Sequence, residues 1–352
     1  MEEYLEQWMN SMDMSGFYSG MDRFFPDLHP DARELFALVL NGNIKEALCY
    51  LTDGIKTGLW AELGGMREIF LCILILGILS ALFTEFADLF AGRQMSQMGF
   101  YFLYLFLITA LTRIFLYVSE IASDTIASIL LFVKMFIPTY FMAVGAAQGV
   151  STAAYYYYLT LLAAYLIESI LSAFLIPFIY SYVLLALING LWPEEKLTLL
   201  LDVMKKAVGF LLKLLVGAMT GLSLVQALIL PVADTLKISA MKKTLSSLPG
   251  IGGMAGGITE LFVGSAVLIK NSVGVLLMLL LFAVCLLPLG KIVVISGIVK
   301  LGAAVSGIVS DKRVSEAASR VGEGCFMLFQ CVCASMAMFL IVIAVVAYTL
   351  SG

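Results

Sequence analysis

The sequence has little charge and almost no histidine. Of its 352 residues, 13% are charged and one is a histidine, whereas 61% are hydrophobic, and the mean hydropathy is +1.01. A soluble domain of this size exposes too much surface for so few polar residues. Several apolar runs also exceed the ~18 residues that mark a membrane-spanning helix. The composition therefore excludes a soluble fold and predicts an all-α, polytopic integral membrane protein embedded in the lipid bilayer.

Enzyme motifs are absent as well. The sequence has no Walker loop, no HExxH and no Gly-x-Ser-x-Gly, and His29 lies between Leu28 and Pro30 in a segment typical of a surface turn. Most of the six cysteines lie in apolar runs, and a single histidine nearly excludes a Cys-His metal site. We therefore predict no enzymatic activity, no catalytic residue, no metal and no cofactor.

Charge divides the chain into two parts. Residues 1–68 carry twelve acidic and five basic side chains, which predicts an acidic, soluble or interfacial helical N-terminal region. Residues 69–352 predict a helical transmembrane domain with seven or eight transmembrane or re-entrant helices, the first from Ile69 to about Leu89. The acidic leading region argues against nucleic acid as a partner.

Prolines, glycines and charges place breaks between these helices. The predicted breaks are at residues 119–120, 232–247, 288–291 and 310–324. The basic residues of 232–247 and 310–324 favour cytoplasmic loops. The run 152–189 is too long for one crossing and is divided at Pro177. A helix that follows Pro193 would carry one polar face, with Glu195, Thr198, Asp202, Lys206, Gly209 and Lys213.

Two intramembrane charges are predicted to meet. Lys134 lies near the middle of its apolar run, and Pro138 cannot donate a hydrogen bond to the Lys134 carbonyl. An unpaired charge at this depth costs about 2.5–3.5 kcal/mol on insertion scales. Glu168 is the candidate to neutralise Lys134, and the pair either fixes the register of two helices or lines a polar path.

A helix that begins at about Gly252 would carry small and polar residues on one face. At 100° per residue, six positions fall with Glu260 in a wedge roughly 100° wide. They are Gly253, Gly256, Gly257, Gly264, Asn271 and Gly274. Glycines let a second backbone come close, while Glu260 and Asn271 supply hydrogen bonds that lipid cannot. We call this face the glycine seam and predict a contact between helices or subunits, or the wall of a polar path.

The residues around the seam resemble a known family. The stretches KISA at 237–240, LPGIG at 248–252, SAVLIKNSVG at 265–274 and LPLGKI at 287–292 resemble the stage III sporulation protein AE family of endospore-forming Firmicutes. The resemblance implies that the glycine seam, with Glu260, Lys270 and Asn271, belongs to a core that the family shares.

The resemblance also implies a function. It implies the membrane core component of a multi-protein, channel-like complex, or feeding tube, that links mother cell and forespore during endospore formation. The implied location is the bacterial cell membrane, which in sporulating cells is the outer forespore membrane. Implied partners are other stage III sporulation A-operon proteins, including the ATPase and the ring-forming components, and the seam would also suit a homo-oligomer.

Two alternatives stay open at this point. One is a stand-alone secondary transporter of a small solute, in which Lys134, Glu168 and Glu260 bind the substrate or protons. The other is a purely structural membrane anchor for ring proteins, in which the glycine seam is ordinary helix packing.

Overall fold

The structure is a computed structural model of the chain. It describes residues 93–148, 150–192, 196–246, 252–309 and 311–348, with a few single positions between residues 38 and 82. Within the helices, side-chain surroundings are described for residues 97–145, 154–155, 157–192, 196–225, 267–268, 271–308 and 311–346. The described segments are helices joined by short turns and include no strand, which confirms the all-α class.

The described part of the chain forms six α-helices and one π-helical segment. They are α1 (Arg93–Gln148), α2 (Val150–Ile170), the π-helical segment (Leu171–Leu175), α3 (Ile176–Asn189), α4 (Thr198–Ser246), α5 (Gly252–Val309) and α6 (Lys312–Tyr348). With 56 and 58 residues, α1 and α5 are each about 85 Å long at 1.5 Å per residue. Because the hydrocarbon core of a bilayer is about 30 Å thick, neither helix fits within it along its whole length.

Several of the predicted breaks are wrong. Residues 119–120 lie inside α1, residues 288–291 lie inside α5, and the stretches 232–247 and 310–324 fall almost entirely within α4 and α6. Tertiary packing overrides the local signals, because Ser119, Leu289 and Val321 are all buried against other parts of the fold. A proline inside a helix costs about 3 kcal/mol, which the burial of such neighbours offsets at Pro288.

The predicted division at Pro177 takes the form of a wider helical turn instead of a loop. The Ile176 N–H donates to the Leu171 carbonyl, five residues back, which is the bond of a π-helix. Pro177 follows in the first turn of α3 and has no N–H to donate. The chain therefore stays helical from α2 through α3.

Among the described residues, five helical stretches are long and apolar enough to cross a membrane. They are Gln97–Gly145, Tyr157–Asn189, Thr198–Val225, Asn271–Ile308 and Lys312–Val346. The predicted first span, Ile69 to about Leu89, lies almost entirely outside the described residues, so the count of seven or eight stays a prediction. The division at residue 68 also lies outside them, although Val39 of the N-terminal region is buried in the hydrophobic core.

Helices α5 and α6 form an antiparallel pair with the most extensive helix contact in the described fold. The Ser296 hydroxyl donates a hydrogen bond to the Gly322 carbonyl at 2.9 Å. Nearer the α5–α6 connection, the Ser315 hydroxyl donates to the Ala303 carbonyl at 2.7 Å. The Gly322 position allows this close approach, since a Cβ there would lie 2.7 Å from Cγ of Lys300.

Helix α1 packs parallel to α6. The guanidinium of Arg313, near the start of α6, lies 3.6 Å from the ring centroid of Phe100. About three turns further along α6 and four turns further along α1, Gly324 faces Phe115, and a Cβ at Gly324 would collide with the Val183 side chain of α3. Residues at corresponding heights on α1, α3, α5 and α6 therefore enclose one hydrophobic core.

Candidate functional site

The glycine seam requires a continuous helix from about Gly252, and this is confirmed, because α5 begins at Gly252 and continues without a break. The side chains of Glu260 and Lys270 and the surroundings of Gly253, Gly256, Gly257 and Gly264 lie outside the described residues. Gly274 is buried. The Asn271 Oδ1 atom is also buried, and it accepts no hydrogen bond from the residues that the structure describes. The role of the seam stays a prediction, and Asn271 is its one described polar member.

The structure does not bring Lys134 and Glu168 together. Lys134 is exposed on α1 and Glu168 is half-buried on α2. The ion pairs among the described residues include none between these two side chains. Hydropathy shows that each charge lies within an apolar run but not the direction in which its helix turns it, so the pattern was insufficient evidence of contact.

A charged face runs along α1. The charged residues of its described side chains are Arg113, Glu120, Asp124 and Lys134. At 100° per residue these four positions lie within a wedge about 80° wide. All four are exposed, and no ion pair joins any of them to another described residue. We call these four residues the charged face of α1.

The charged face includes a like-charge pair. Glu120 and Asp124 are four residues apart, so their carboxylates are neighbours on the helix surface. Such a pair destabilises a helix by about 0.2–0.5 kcal/mol. Among the described residues, no ion pair joins either carboxylate to a positive charge that would offset this repulsion.

A groove opens between α1 and α5 beside the charged face. Its volume is about 260 Å³. One wall consists of Ile121, Asp124, Thr125 and Ser128 of α1. The facing wall consists of Val284, Leu287, Pro288 and Lys291 of α5. The groove therefore places a carboxylate on one helix and an ammonium on the other, with apolar side chains between them.

Pro288 adds a backbone acceptor to this groove. Proline has no N–H, so the carbonyl four residues before it, that of Val284, lacks its usual helical donor. On the α1 wall, the Thr125 hydroxyl donates to the Ile121 carbonyl at 2.6 Å and is thereby occupied within its own helix. Ser128 lies one turn after Asp124 and lines the same groove.

A second polar region ties three helices together where α3 ends and α4 begins. Arg320 of α6 bonds to Asp202 of α4 at 2.7 Å, and Lys205 of α4 bonds to Glu323 of α6 at 2.8 Å. The Tyr182 hydroxyl of α3 donates to the other carboxylate oxygen of Glu323 at 2.8 Å. We call these five residues the ion cluster.

The start of α6 is fixed next to the ion cluster. Asp311 caps the helix by accepting the Arg313 N–H at 2.9 Å, and its carboxylate also pairs with the Arg313 guanidinium at 2.8 Å. Burial raises the pKa of Asp311, but the hydrogen bonds from Arg313 outweigh burial and hold that pKa below its usual value. Arg313 in turn covers the Phe100 ring, a cation–π contact that joins α6 to α1.

Sequence reasoning missed the ion cluster although a signal for it exists. Asp202 was assigned to a polar helix face without a partner, and Arg320 was assigned to a loop. Asp202 precedes Lys205 by three residues, and Arg320 precedes Glu323 by the same interval with the charges reversed. Two parallel helices with these patterns pair acid with base at both levels, and the structure shows both pairs.

Among the residues that the structure describes, no group of three or more His, Cys, Asp or Glu side chains is placed to hold a metal ion. The groove contributes one carboxylate, too few for a metal site built by protein ligands alone.

Comparison with known proteins identifies the family. The sequence model described as Stage III sporulation protein AE matches residues 31–349. A relative from Bacillus subtilis (strain 168), named Stage III sporulation protein AE, is 21% identical over 234 residues, which is 66% of this chain and 59% of the relative, so the match spans less than two thirds of that relative. No solved structure matches the chain. Because the family match extends over nearly the entire sequence, the chain belongs to the stage III sporulation protein AE family.

Proposed function

We propose that this chain is the membrane core component of a multi-protein, channel-like complex that links mother cell and forespore during endospore formation. Membership of a stage III sporulation family supports a role in endospore formation. Five helices of membrane-spanning length and composition support a multi-pass position. In this proposal the chain is permease-like and non-enzymatic, and it resides in the outer forespore membrane. Its partners are other stage III sporulation A-operon proteins, including the ATPase and the ring-forming components.

The observation that carries the proposal is the charged face of α1. Each charge turned toward acyl chains costs about 2.5–3.5 kcal/mol on insertion scales. Four charges share one exposed face of a helical stretch, Gln97–Gly145, that is long and apolar enough to span a membrane. Water or a protein partner along this face removes that cost. A water-filled conduit and a neighbouring subunit of the same complex are both surroundings of this kind.

The proposal is tested by recovering the complex from sporulating cells. A tagged chain purified during engulfment is expected to bring with it the A-operon ATPase and the ring-forming proteins. Asp124→Leu should lower spore yield while the protein still accumulates. Leu162→Ala is the matched control, because Leu162 is an exposed apolar residue of α2. Recovery of the chain alone, together with normal spore yield for Asp124→Leu, would contradict the proposal.

Two other functions predict different results. A stand-alone transporter, which the groove between α1 and α5 favours, would move a small solute into liposomes that contain the purified chain and nothing else. A purely structural anchor would tolerate the double substitution Glu120→Gln with Asp124→Asn without loss of spores, because it makes no use of the charged face.

A further inference from the structure

We propose that the charged face of α1 packs against α4 of a second copy of this chain, so that copies join in a ring around an axis along the membrane normal. The proposal rests on the proposed function and deepens it, because it names the neighbouring subunit that covers this face. The contact between copies uses α1 and α4 and is separate from the glycine seam of α5. Its basis is that α1 and α4 present charges of opposite sign at matching levels.

Helix α4 is the least covered of the described helices that can cross a membrane. An 18-residue apolar window of Thr198–Val225 is 22% buried within the chain, against 39–50% for such windows in the other four stretches. Its outer side includes the exposed side chains of Phe210 and Leu214. Nothing lies within 4 Å of a Cβ at Gly217, so a second helix can approach the α4 backbone closely there. The outer side of α4 therefore has room for a neighbouring helix.

A charged stripe runs along this outer side. Its members are Asp202, Lys206 and Lys213, which lie within a wedge about 40° wide at 100° per residue. Both lysines are exposed, and no ion pair joins either of them to another described residue. Asp202 binds Arg320 within its own chain, but its side chain is half exposed, and a carboxylate has about four acceptor sites. We call these three residues the α4 stripe.

The contacts of α6 relate the levels of α1 and α4. All three helices are parallel. Lys205 of α4 bonds to Glu323 of α6, and the next residue of α6, Gly324, faces Phe115 of α1. Lys205 and Phe115 therefore lie at about the same level, and positions further along α1 and α4 can be compared from that level at 1.5 Å per residue.

Measured from this common level, charges of opposite sign coincide. The charges of α1 lie about 3 Å before it, 7.5 Å after it and 13.5 Å after it, and they are Arg113, Glu120 and Asp124. The charges of the α4 stripe lie about 4.5 Å before it, 1.5 Å after it and 12 Å after it, and they are Asp202, Lys206 and Lys213. The order is positive, negative, negative on α1 and negative, positive, positive on α4. Lys213 lies between the levels of Glu120 and Asp124, so its ammonium can pair with either carboxylate.

A head-to-tail arrangement brings these opposite charges together. Copies related by an axis along the membrane normal lie at the same depth, so each level of one copy meets the same level of the next. If α1 faced α1, Glu120 and Asp124 would meet their own counterparts, and like charges across an interface repel. If α4 faced α4, Lys213 would meet Lys213. Contact of α1 with α4 of the next copy pairs opposite charges instead, and repetition of one such head-to-tail contact generates a ring where the rotation closes.

A zero-length crosslinker applied to the wild-type chain tests the contact. The full-length chain is produced without other sporulation proteins, purified in a mild detergent and treated with a carbodiimide, which joins a carboxylate to an amine where the two touch. We expect a dimer band on a denaturing gel, in which mass spectrometry finds the peptide of Glu120 or Asp124 joined to the peptide of Lys213. Light scattering of the untreated sample should give the mass of several chains.

Charge reversal then tests the complementarity. Lys213→Glu, and Glu120→Lys together with Asp124→Lys, should each lower the oligomeric fraction about tenfold or more, because each change places like charges across the interface. All three reversals in one chain should restore the oligomer, which a loss of folding could not do. Lys134→Glu is the matched control, since Lys134 lies on the charged face about 15 Å beyond Asp124, at the level of the apolar Leu224.

The folding of each variant is measured separately from its assembly. Thermal unfolding in a detergent that separates the copies reports on the single chain, where these exposed charges should have little effect on stability. The crosslink in the wild-type chain needs no substitution, so it keeps the test usable if a variant does not fold.

Four results would overturn the proposal: a single chain by light scattering with no crosslinked dimer, crosslinked dimers that lack the joined peptides of α1 and Lys213, an oligomer that the reversals leave unchanged, or a folded triple variant that stays dissociated. In the first case, anionic lipid retained by the wild type and lost from Lys213→Glu would assign the α4 stripe to lipid headgroups. None of these results affects recovery of the ATPase and ring-forming proteins from sporulating cells. A failure of the ring and a failure of the conduit are therefore seen in separate experiments.

Discussion

The ion cluster and the charged face of α1 use the same kinds of side chain in opposite ways. In the ion cluster, Arg320 and Lys205 are paired with carboxylates of other helices at 2.7 and 2.8 Å. On α1, Glu120 and Asp124 are exposed and have no ion pair among the described residues. One set of charges is paired with other described residues of this chain, and the other is paired with none of them.

We interpret this difference as one between charges that hold the fold and charges that are exposed for contact with water or a partner. Arg320 and Glu323 join α6 to α3 and α4, so their substitution should lower the free energy of unfolding. Substitution of Glu120 or Asp124 should leave the fold intact and lower the spore yield. The following predictions test this separation, from the largest expected effect to the smallest.

The largest effect is expected next to the ion cluster, at Gly324. A Cβ at this position would collide with Val183 of α3 and lie 3.4 Å from the Phe115 ring of α1, so Gly324→Ala should destabilise the protein by about 1–3 kcal/mol through overpacking. Thermal unfolding in detergent measures this change. Gly297→Ala is the control, since nothing lies within 4 Å of a Cβ at Gly297. A Gly324→Ala variant as stable as Gly297→Ala would show that α6 does not pack as described.

Arg320→Met should lower the free energy of unfolding by about 1–2 kcal/mol, between the values of an exposed and a buried ion pair. The substitution removes the bond to Asp202 and the weaker 3.6 Å contact with Glu323. The expected loss is below the roughly 3–5 kcal/mol of a fully buried pair, because Asp202 is about half exposed, at 48%. Lys213→Met, at an exposed position further along α4, serves as the control. Equal unfolding temperatures for Arg320→Met and Lys213→Met would show that the ion cluster does not stabilise the fold.

Tyr182→Phe should cost about 1 kcal/mol, because it removes one hydrogen bond to the Glu323 carboxylate and keeps the ring. Tyr180→Phe is the control; the Tyr180 ring packs edge-on against Phe115 at 5.1 Å between centroids and would be retained. In a double-mutant cycle, Tyr182→Phe should have little further effect once Glu323→Gln is present. Full additivity of the two substitutions would show that the hydrogen bond contributes nothing.

The smallest effect on stability is expected on the charged face of α1. Glu120→Gln should change the free energy of unfolding by no more than about 0.5 kcal/mol, and in the stabilising direction, because it relieves repulsion from Asp124. Spore yield should nevertheless fall. A loss of stability as large as that of Arg320→Met would erase the distinction between the two regions.

The class of fold and the residue at which α5 begins could be predicted from the sequence. Composition determines the all-α class, and the start of α5 at Gly252 follows from the Pro-Gly break before a long apolar run. Helix lengths could not be predicted in the same way. Ser119 and Pro288 carry local signals of a break, but they lie inside helices whose neighbouring residues are buried.

Contacts between helices were the least predictable feature. Lys134 and Glu168 were expected to meet because each is an isolated charge in an apolar run, but pairing depends on the rotation of both helices about their axes. Asp202 and Arg320 do meet, and their complementary spacing with Lys205 and Glu323 becomes informative only when α4 and α6 are known to be parallel. The groove also requires tertiary structure, since its walls are separated by more than 150 residues.

The central claim is that the charged face of α1 is turned toward water or protein in the assembled complex. Labelling with a membrane-impermeant thiol reagent in sporulating cells tests this claim directly, with Asp124→Cys compared with Leu162→Cys and wild-type protein as the blank. The account predicts that Asp124→Cys is either labelled or shielded until the partners are removed, and that Leu162→Cys is never labelled. If Asp124→Cys stays unlabelled with and without partners, as Leu162→Cys does, the charged face lies in lipid and the account is contradicted.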